Sequence, residues 1–414
     1  MARTLLVAIA SIYLLATPAL ARWSAWDLFV PAKNPADILS DIAVSEGRPP
    51  FGFQDLAQPE SASRFGHGEV KSSRPLIGIL TQPCSLCPGR SYISAGYVKW
   101  IEAAGGRAVP IRFYDSDREL HRLFKSVNAL IFPGGLTWLW LDSPYVIAAR
   151  KLYNWAVEEN EAGNPFPIHG ACLGHQLLQI LVSNVSRDDL LVRTDAVSHP
   201  TTLKLTEAAA ASEYFGTIAP DLVKKLQDSH YNIAMENHEY GVPPHHYDRW
   251  PILKDAYRIL STTVDRNGTE YISTIESTKY PFFGTQWHPE KPPYEFSDKT
   301  IPHSIDAIRV SQHTANAFVE VARRSSHRPE SDEEELAMLI YSDVPIFTAR
   351  FDAIEESYDG PDITYFFDVE DRKGQNPFPS GPFPSDGGKD ENATASDYAK
   401  SYRVGRSYGM PSTF

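Results

Sequence analysis

The sequence predicts a three-layer α/β/α fold built on a mainly parallel central sheet. Two observations lead there. Short apolar runs of buried-strand type alternate with helical stretches between residues 75 and 182. Within that alternation, Gly170-Ala171-Cys172-Leu173-Gly174 sits where a strand passes into a helix. Alternating β and α segments give parallel strands joined by helical crossovers, with helices on both faces of the sheet. Ligands in such sheets gather beyond the C-terminal strand ends.

The elements follow in order. Residues 75–80, Pro-Leu-Ile-Gly-Ile-Leu, read as the first buried strand. A helix is expected over 92–104, where Tyr97, Ile101 and Ala104 share a face, and Gly105-Gly106 ends it. Residues 107–111 read as a strand, 121–125 as a short helix and 129–132 as a third strand that runs into Pro133-Gly134-Gly135. A longer helix covers 145–161, a strand 165–169, and a helix 176–182. From 201 to 276 the pattern turns strand-rich, with runs at 202–205, 257–263 and 270–275, and Asn267-Gly268 marks a hairpin between the last two. Residues 282–286 form another short strand, and a helix over 305–324 closes the compact part.

Composition bounds the rest. Of 414 residues, 42% are hydrophobic, enough for a sizeable core, and the formal charge is −13. No basic face for phosphates is visible, which excludes nucleic acid as a partner. Residues 1–21 read as a secretory signal: Arg3, an apolar stretch from Leu5 to Leu15, then Ala19-Leu20-Ala21. That stretch is too short for a comfortable membrane span, and no later segment approaches 18 apolar residues. Stable membrane insertion is therefore not expected. Glycosylation sequons begin at Asn184, Asn267 and Asn392. Secretion fits these, with the extracellular space or a lysosome or vacuole as destination. Residues 22–73 read as an irregular leader arm rich in Trp and Phe, and 351–414 as a C-terminal extension, disordered beyond about 370. The catalytic domain is placed at 74–350.

Three cysteines in a secreted chain leave one unpaired. Cys84 and Cys87 are spaced for a tight disulfide, which leaves Cys172 reduced. No Cys or His at metal-ligand spacing accompanies them, so neither a metal nor another cofactor is expected.

Cys172 carries the chemistry. Gly-x-Cys-x-Gly at a strand-to-helix turn is the thiol version of a nucleophile elbow, whose glycines leave room for a strained turn. The helix N-terminus behind it favours a thiolate. Taken alone, a small buried cysteine in an α/β core explains the residue equally well. The second signal is Gly284-Thr285-Gln286-Trp287-His288-Pro289-Glu290. His288 and Glu290 lie two apart, so in extended backbone both leave the same face, and Pro289 biases His288 toward that geometry. Alone, His-Pro-Glu reads as a surface turn. Together, the stretches make a Cys172-His288-Glu290 triad.

These stretches resemble class I glutamine amidotransferase-like hydrolases, and more closely the gamma-glutamyl hydrolases of peptidase family C26. The likeness extends through Arg74 to Gln82, Ser94 to Gly105, Asn128 to Gly135, Tyr280 to Glu295 and Leu339 to Thr348. It implies that Cys172 attacks a γ-glutamyl carbonyl, that His288 protonates the departing amine, and that water hydrolyses the thioester. It also implies an oxyanion hole from the backbone N–H groups of Gly135 and Leu173. His238, in Asn237-His238-Glu239-Tyr240-Gly241, lies in what resembles a substrate-side loop. The implied substrate is a poly-γ-glutamylated folate; a homodimer stays open. Two positions depart from the family pattern: His175-Gln176 follows the elbow where an aromatic and Glu are more usual, and His169 replaces Trp. The former is the form common in ammonia-producing amidotransferases. A glutaminase subunit is one alternative, opposed by the signal segment. A non-catalytic binding protein is another, opposed by the intact triad.

Overall fold

In a computed structural model, residues 65, 69–84, 90–349 and 360–368 are described. The expected signal segment, most of the leader arm, Cys87, Asn392 and the tail beyond 370 lie outside them. All the described residues belong to one compact unit, residues 61–414.

The central sheet has eight strands: β1 Leu76–Leu80, β2 Arg107–Ile111, β3 Ala129–Phe132, β4 Ile168–Ala171, β5 Lys204–Leu205, β6 Tyr257–Val264, β7 Glu270–Ser277 and β8 Phe282–Thr285. Their order is β2-β1-β3-β4-β8-β7-β6-β5. The first five run parallel, and the last three continue the sheet antiparallel. The longer helices are α1 Ala95–Ala103, α2 Asp117–Ser126, α3 Pro144–Glu161, α4 Leu173–Ser183 and α5 Ile305–Ala322.

Alternation along the strands builds two cores, one on each face. Leu76, Leu80, Leu130, Phe132 and Phe282 join side chains of α2, α3 and α4. Ile77, Ile79, Ile131 and Phe283 point the other way and meet α1 and α5. A strand whose odd and even positions are both apolar must be covered on both sides, which is the three-layer arrangement.

Differences from the expected elements have local causes. The first helix begins at Ala95, not Tyr92, because Ser94 caps it by accepting from Gly96 N. Residues Arg90–Ser94 instead form a strand between Gln82–Pro83 and Ile363–Asp368, and Ile346–Phe347 completes that four-stranded sheet. Asp362 fastens this C-terminal strand by accepting from Phe296 N at 2.8 Å and Ser297 N at 3.1 Å. Helix α2 is longer than expected, because Ser116 caps it by accepting from Glu119 N. The strand expected at 202–205 shrinks to Lys204–Leu205. A ribbon of Val192–Thr201 with Ala234–Gly241 appears where no strand was foreseen, its register broken twice. Such irregularities erase the two-residue alternation that sequence reading relies on.

Candidate active site

Four parallel strands deliver their C-terminal ends to one edge. Beyond β1 lies Gln82, beyond β3 Pro133-Gly134-Gly135, beyond β4 Cys172, and beyond β8 His288.

Cys172 occupies the turn between β4 and α4 with φ 49° and ψ −105°. A non-glycine residue at positive φ is strained, and only a well-determined surrounding holds it there. Both motif glycines supply that surrounding. A Cβ on Gly170 would collide with the Gly174 carbonyl, and one on Gly174 would collide with the Phe132 carbonyl. The chain at Cys172 is further held by its N–H donating to Thr285 O at 2.7 Å, which prolongs the β4–β8 pairing. No side chain caps α4, so its first N–H groups stay open beside the sulfur and favour negative charge there.

His288 and Glu290 are brought to the same place. His288 Nδ1 lies 2.7 Å from Glu290 Oε1, and both side chains are buried. His288 N–H donates to Met235 O at 2.8 Å, which ties the triad segment to the irregular ribbon. A Cβ on Gly134 would lie 2.9 Å from His288 Cε1 and 3.2 Å from Cys172 Cβ, so imidazole and cysteine sit side by side under this glycine. The thiol aims at Asn237 O, 3.7 Å away, and His288 Nε2 has no well-formed hydrogen bond. Catalytic contacts of this kind commonly tighten only when substrate is bound.

Electrostatics complete the arrangement. Burial alone would push His288 down, but the Glu290 carboxylate and the Cys172 sulfur overcome it and raise the imidazole well above its ordinary value. Glu290 is held low in turn: burial opposes ionisation, and the His288 charge prevails.

The N–H of Gly134 donates to the Tyr97 hydroxyl at 2.8 Å. Among the described residues no acceptor meets the N–H of Gly135 or Leu173. Gln82 Nε2 donates to Pro133 O at 2.8 Å and fixes the same loop from behind. Lys291, directly after the triad, is buried and paired with Glu295 at 2.8 Å.

His238 follows Asn237 on the ribbon, and both of its ring nitrogens are engaged: Nδ1 with Thr194 Oγ1 at 3.0 Å, Nε2 with Glu236 Oε2 at 3.1 Å. His169 and His175 are buried in the layers behind the elbow, and burial brings each down to about 3. They are neutral core histidines. Gln176 donates to Tyr240 O at 2.7 Å and to Gln286 Oε1 at 3.2 Å. Cys84 is disulfide-bonded, and Cys172 is free. No helix among the described residues is long and apolar enough to cross a membrane.

Sequence reading did not single out Gln82, Tyr97 or Lys291 as site residues. The one signal for Tyr97 was a polar tip on an otherwise apolar helix face, which also fits an ordinary core tyrosine.

Comparison with known proteins identifies the family. The Peptidase C26 family model matches residues 75–290. Gamma-glutamyl hydrolase 1 of Arabidopsis thaliana is 37% identical over 283 residues, covering 66% of this chain and 79% of its own. The gamma-glutamyl hydrolase of Mus musculus is 36% identical over 307 residues, covering 73% and 94%. That of Homo sapiens is 35% identical over 297 residues, covering 70% and 91%. With a matched family model over more than half the chain and relatives covered over 79% to 94% of their length, the chain belongs to the Peptidase C26 family and is a hydrolase of γ-glutamyl bonds.

Proposed function

We propose that this enzyme cleaves the γ-linked tail of poly-γ-glutamylated folates, with Cys172 as nucleophile, His288 as proton carrier and Glu290 as the residue that orients and charges the imidazole. The single observation that carries the assignment is the strained Cys172 beside an imidazole bonded to a buried carboxylate at 2.7 Å.

The steps follow from the geometry. The Cys172 thiolate attacks the γ-carbonyl carbon, and the carbonyl electron pair moves to oxygen, which takes hydrogen bonds from Gly135 and Leu173 N–H. Removing one such donor costs about 10² to 10³ in rate in comparable hydrolases. The tetrahedral intermediate collapses, the C–N bond breaks, and the imidazolium of His288 gives its Nε2 proton to the departing nitrogen. Water then attacks the thioester, His288 takes its proton, and a free γ-carboxylate leaves as the thiolate is regenerated.

His238 supports the substrate side of the cleft by fixing, through Thr194 and Glu236, the strand that carries Asn237. Residues 1–21 and the sequons at Asn184, Asn267 and Asn392 support work in the secretory pathway, in the extracellular space or a lysosome or vacuole. Incubation with a pteroyl poly-γ-glutamate, with free glutamine as control, tests the reading. Shortening of the tail with little glutaminase turnover is expected. Ammonia from glutamine with an intact tail would instead indicate a glutaminase, a reading to which Gln176 in the elbow lends its one support.

A further inference from the structure

A cation near the candidate site is held in a geometry that the triad does not use. Arg187 opens the short helix Arg187–Leu190. Its guanidinium carbon lies 4.6 Å from the ring centroid of Trp138 and 4.2 Å from that of Tyr240. Trp138 is itself backed by Trp140, with centroids 5.4 Å apart and planes within 5° of parallel.

The two aromatic partners belong to two different segments that reach the site. Trp138 lies four residues beyond Gly134, so the span to the oxyanion loop is at most roughly 14 Å. Tyr240 lies three residues beyond Asn237, whose carbonyl meets the Cys172 thiol at 3.7 Å. Its own carbonyl is held by Gln176, one turn into the helix that Cys172 begins. The guanidinium is therefore tied to both of the segments that border Cys172.

A guanidinium packed against aromatic rings keeps its edge for hydrogen bonds, and that edge carries all five N–H donors. Among the described residues its one acid partner is Asp188, at 2.7 Å, whose side chain is 74% exposed. The Arg187 side chain is itself 12% exposed, and the pair engages its Nη1 alone. What remains is a rigid fork of the shape that a carboxylate accepts in bidentate fashion. A γ-linked glutamyl chain presents one free α-carboxylate per residue, and a protein of formal charge −13 repels it everywhere except at such local cations.

We infer that Arg187, held between Trp138 and Tyr240, binds an α-carboxylate of the γ-glutamyl chain outside the scissile bond and so selects for poly-γ-glutamate. The inference rests on the poly-γ-glutamate reading above. It explains why the cation is stacked rather than left mobile, since a preorganised fork loses less freedom on binding.

The test uses the full chain and two substrates: a γ-linked glutamyl oligomer, and the same oligomer with its α-carboxylates outside the scissile residue converted to carboxamides. Wild type should prefer the carboxylate form. Arg187→Met should raise KM for that form by about tenfold or more, leave kcat near wild type, and leave the carboxamide form unaffected. Arg187→Lys should fall between, since it keeps the charge and loses the fork, and Trp138→Leu should shift KM in the same direction by less. Equal losses on both substrates in Arg187→Met and Arg187→Lys would make the stack a structural clasp and overturn the assignment, as would no loss on either. A wild-type enzyme that cleaves a single γ-glutamyl bond but neither oligomer would overturn the poly-γ-glutamate reading and the assignment with it, a result recognisable before any variant is made.

Discussion

Tyr97 accepts the Gly134 N–H at 2.8 Å, so that of the two loop glycines Gly135 alone keeps an N–H without an acceptor among the described residues. Burial, with the Glu290 and Cys172 charges behind it, pushes the phenol well above its ordinary value, so the hydroxyl stays protonated. Tyr97→Phe removes that acceptor and leaves a buried N–H unpaired beside Gly135. We expect kcat to fall about tenfold, with a smaller change in KM, since the loop matters most when the oxyanion forms. Steady-state kinetics on one γ-glutamyl substrate check it; a KM effect alone would place Tyr97 in binding.

Cys172→Ala should abolish turnover and keep the fold, because alanine fits the turn although it inherits the positive φ. Cys172→Gly should be equally inactive yet more stable than the alanine variant by about 1 kcal/mol, as the strain at φ 49° disappears. Urea unfolding of the two variants measures the difference. Equal stability would mean that the turn is unstrained.

Glu290→Gln should cost less in kcat/KM than His288→Asn, because the carboxylate orients and charges the imidazole while the imidazole moves the proton. The pair also links stability to pH. His288 is raised in the folded protein from an ordinary value near ~6.5 to about 10, so its stabilisation is complete below the former and lost as pH rises through the latter. Glu290 is lowered, so its share is present above its ordinary value and lost as pH falls through the folded one. The destabilisation caused by His288→Asn should shrink between pH 7 and pH 10. A penalty flat across that range would contradict an imidazolium in the resting site.

Gly174→Ala should be among the most damaging single changes, by about 3 kcal/mol or more, because its Cβ runs into the Phe132 carbonyl and neither backbone can yield without moving β3 or α4. Gly268→Ala, at φ 87° with open space around it, meets strain alone and should cost about 1 kcal/mol. Thermal melts of the two proteins provide the contrast.

Hydrolysis of long γ-glutamyl tails should be faster at mildly acidic than at neutral pH, because protonation reduces the −13 charge that repels a polyanion. A short γ-linked pair should show a weaker dependence. kcat/KM profiles for both lengths decide it, and an optimum above neutrality that ignores length would remove both the electrostatic argument and the acidic compartment.

Much of the fold could be read in advance because its strands are buried on both faces and announce themselves as apolar runs. The triad was legible for a different reason: Gly170 and Gly174 are demanded by backbone collisions, and His288-Pro289-Glu290 places two side chains on one face. Tyr92 was taken for a helix residue because the partners of its strand are Gln82 and Phe366, one across a turn and the other far along the chain. No local pattern encodes such a pairing. Gln82, Tyr97 and Arg187 were invisible as site residues for the same reason, since each acquires meaning from a partner 37 to 53 residues away.

The position of β8 has a consequence for biosynthesis. It inserts between β4 and β7, so the nucleophile and its base, 116 positions apart, meet only when a strand near the end of the catalytic region has taken its place. A nascent or partly folded chain can present the elbow of Cys172 complete with its glycines and still lack the imidazole that activates it. Pairings of such long range form slowly, because loop closure precedes the contacts that reward it. The thiol thus meets its imidazole only in the completed sheet, and hydrolytic competence requires that sheet.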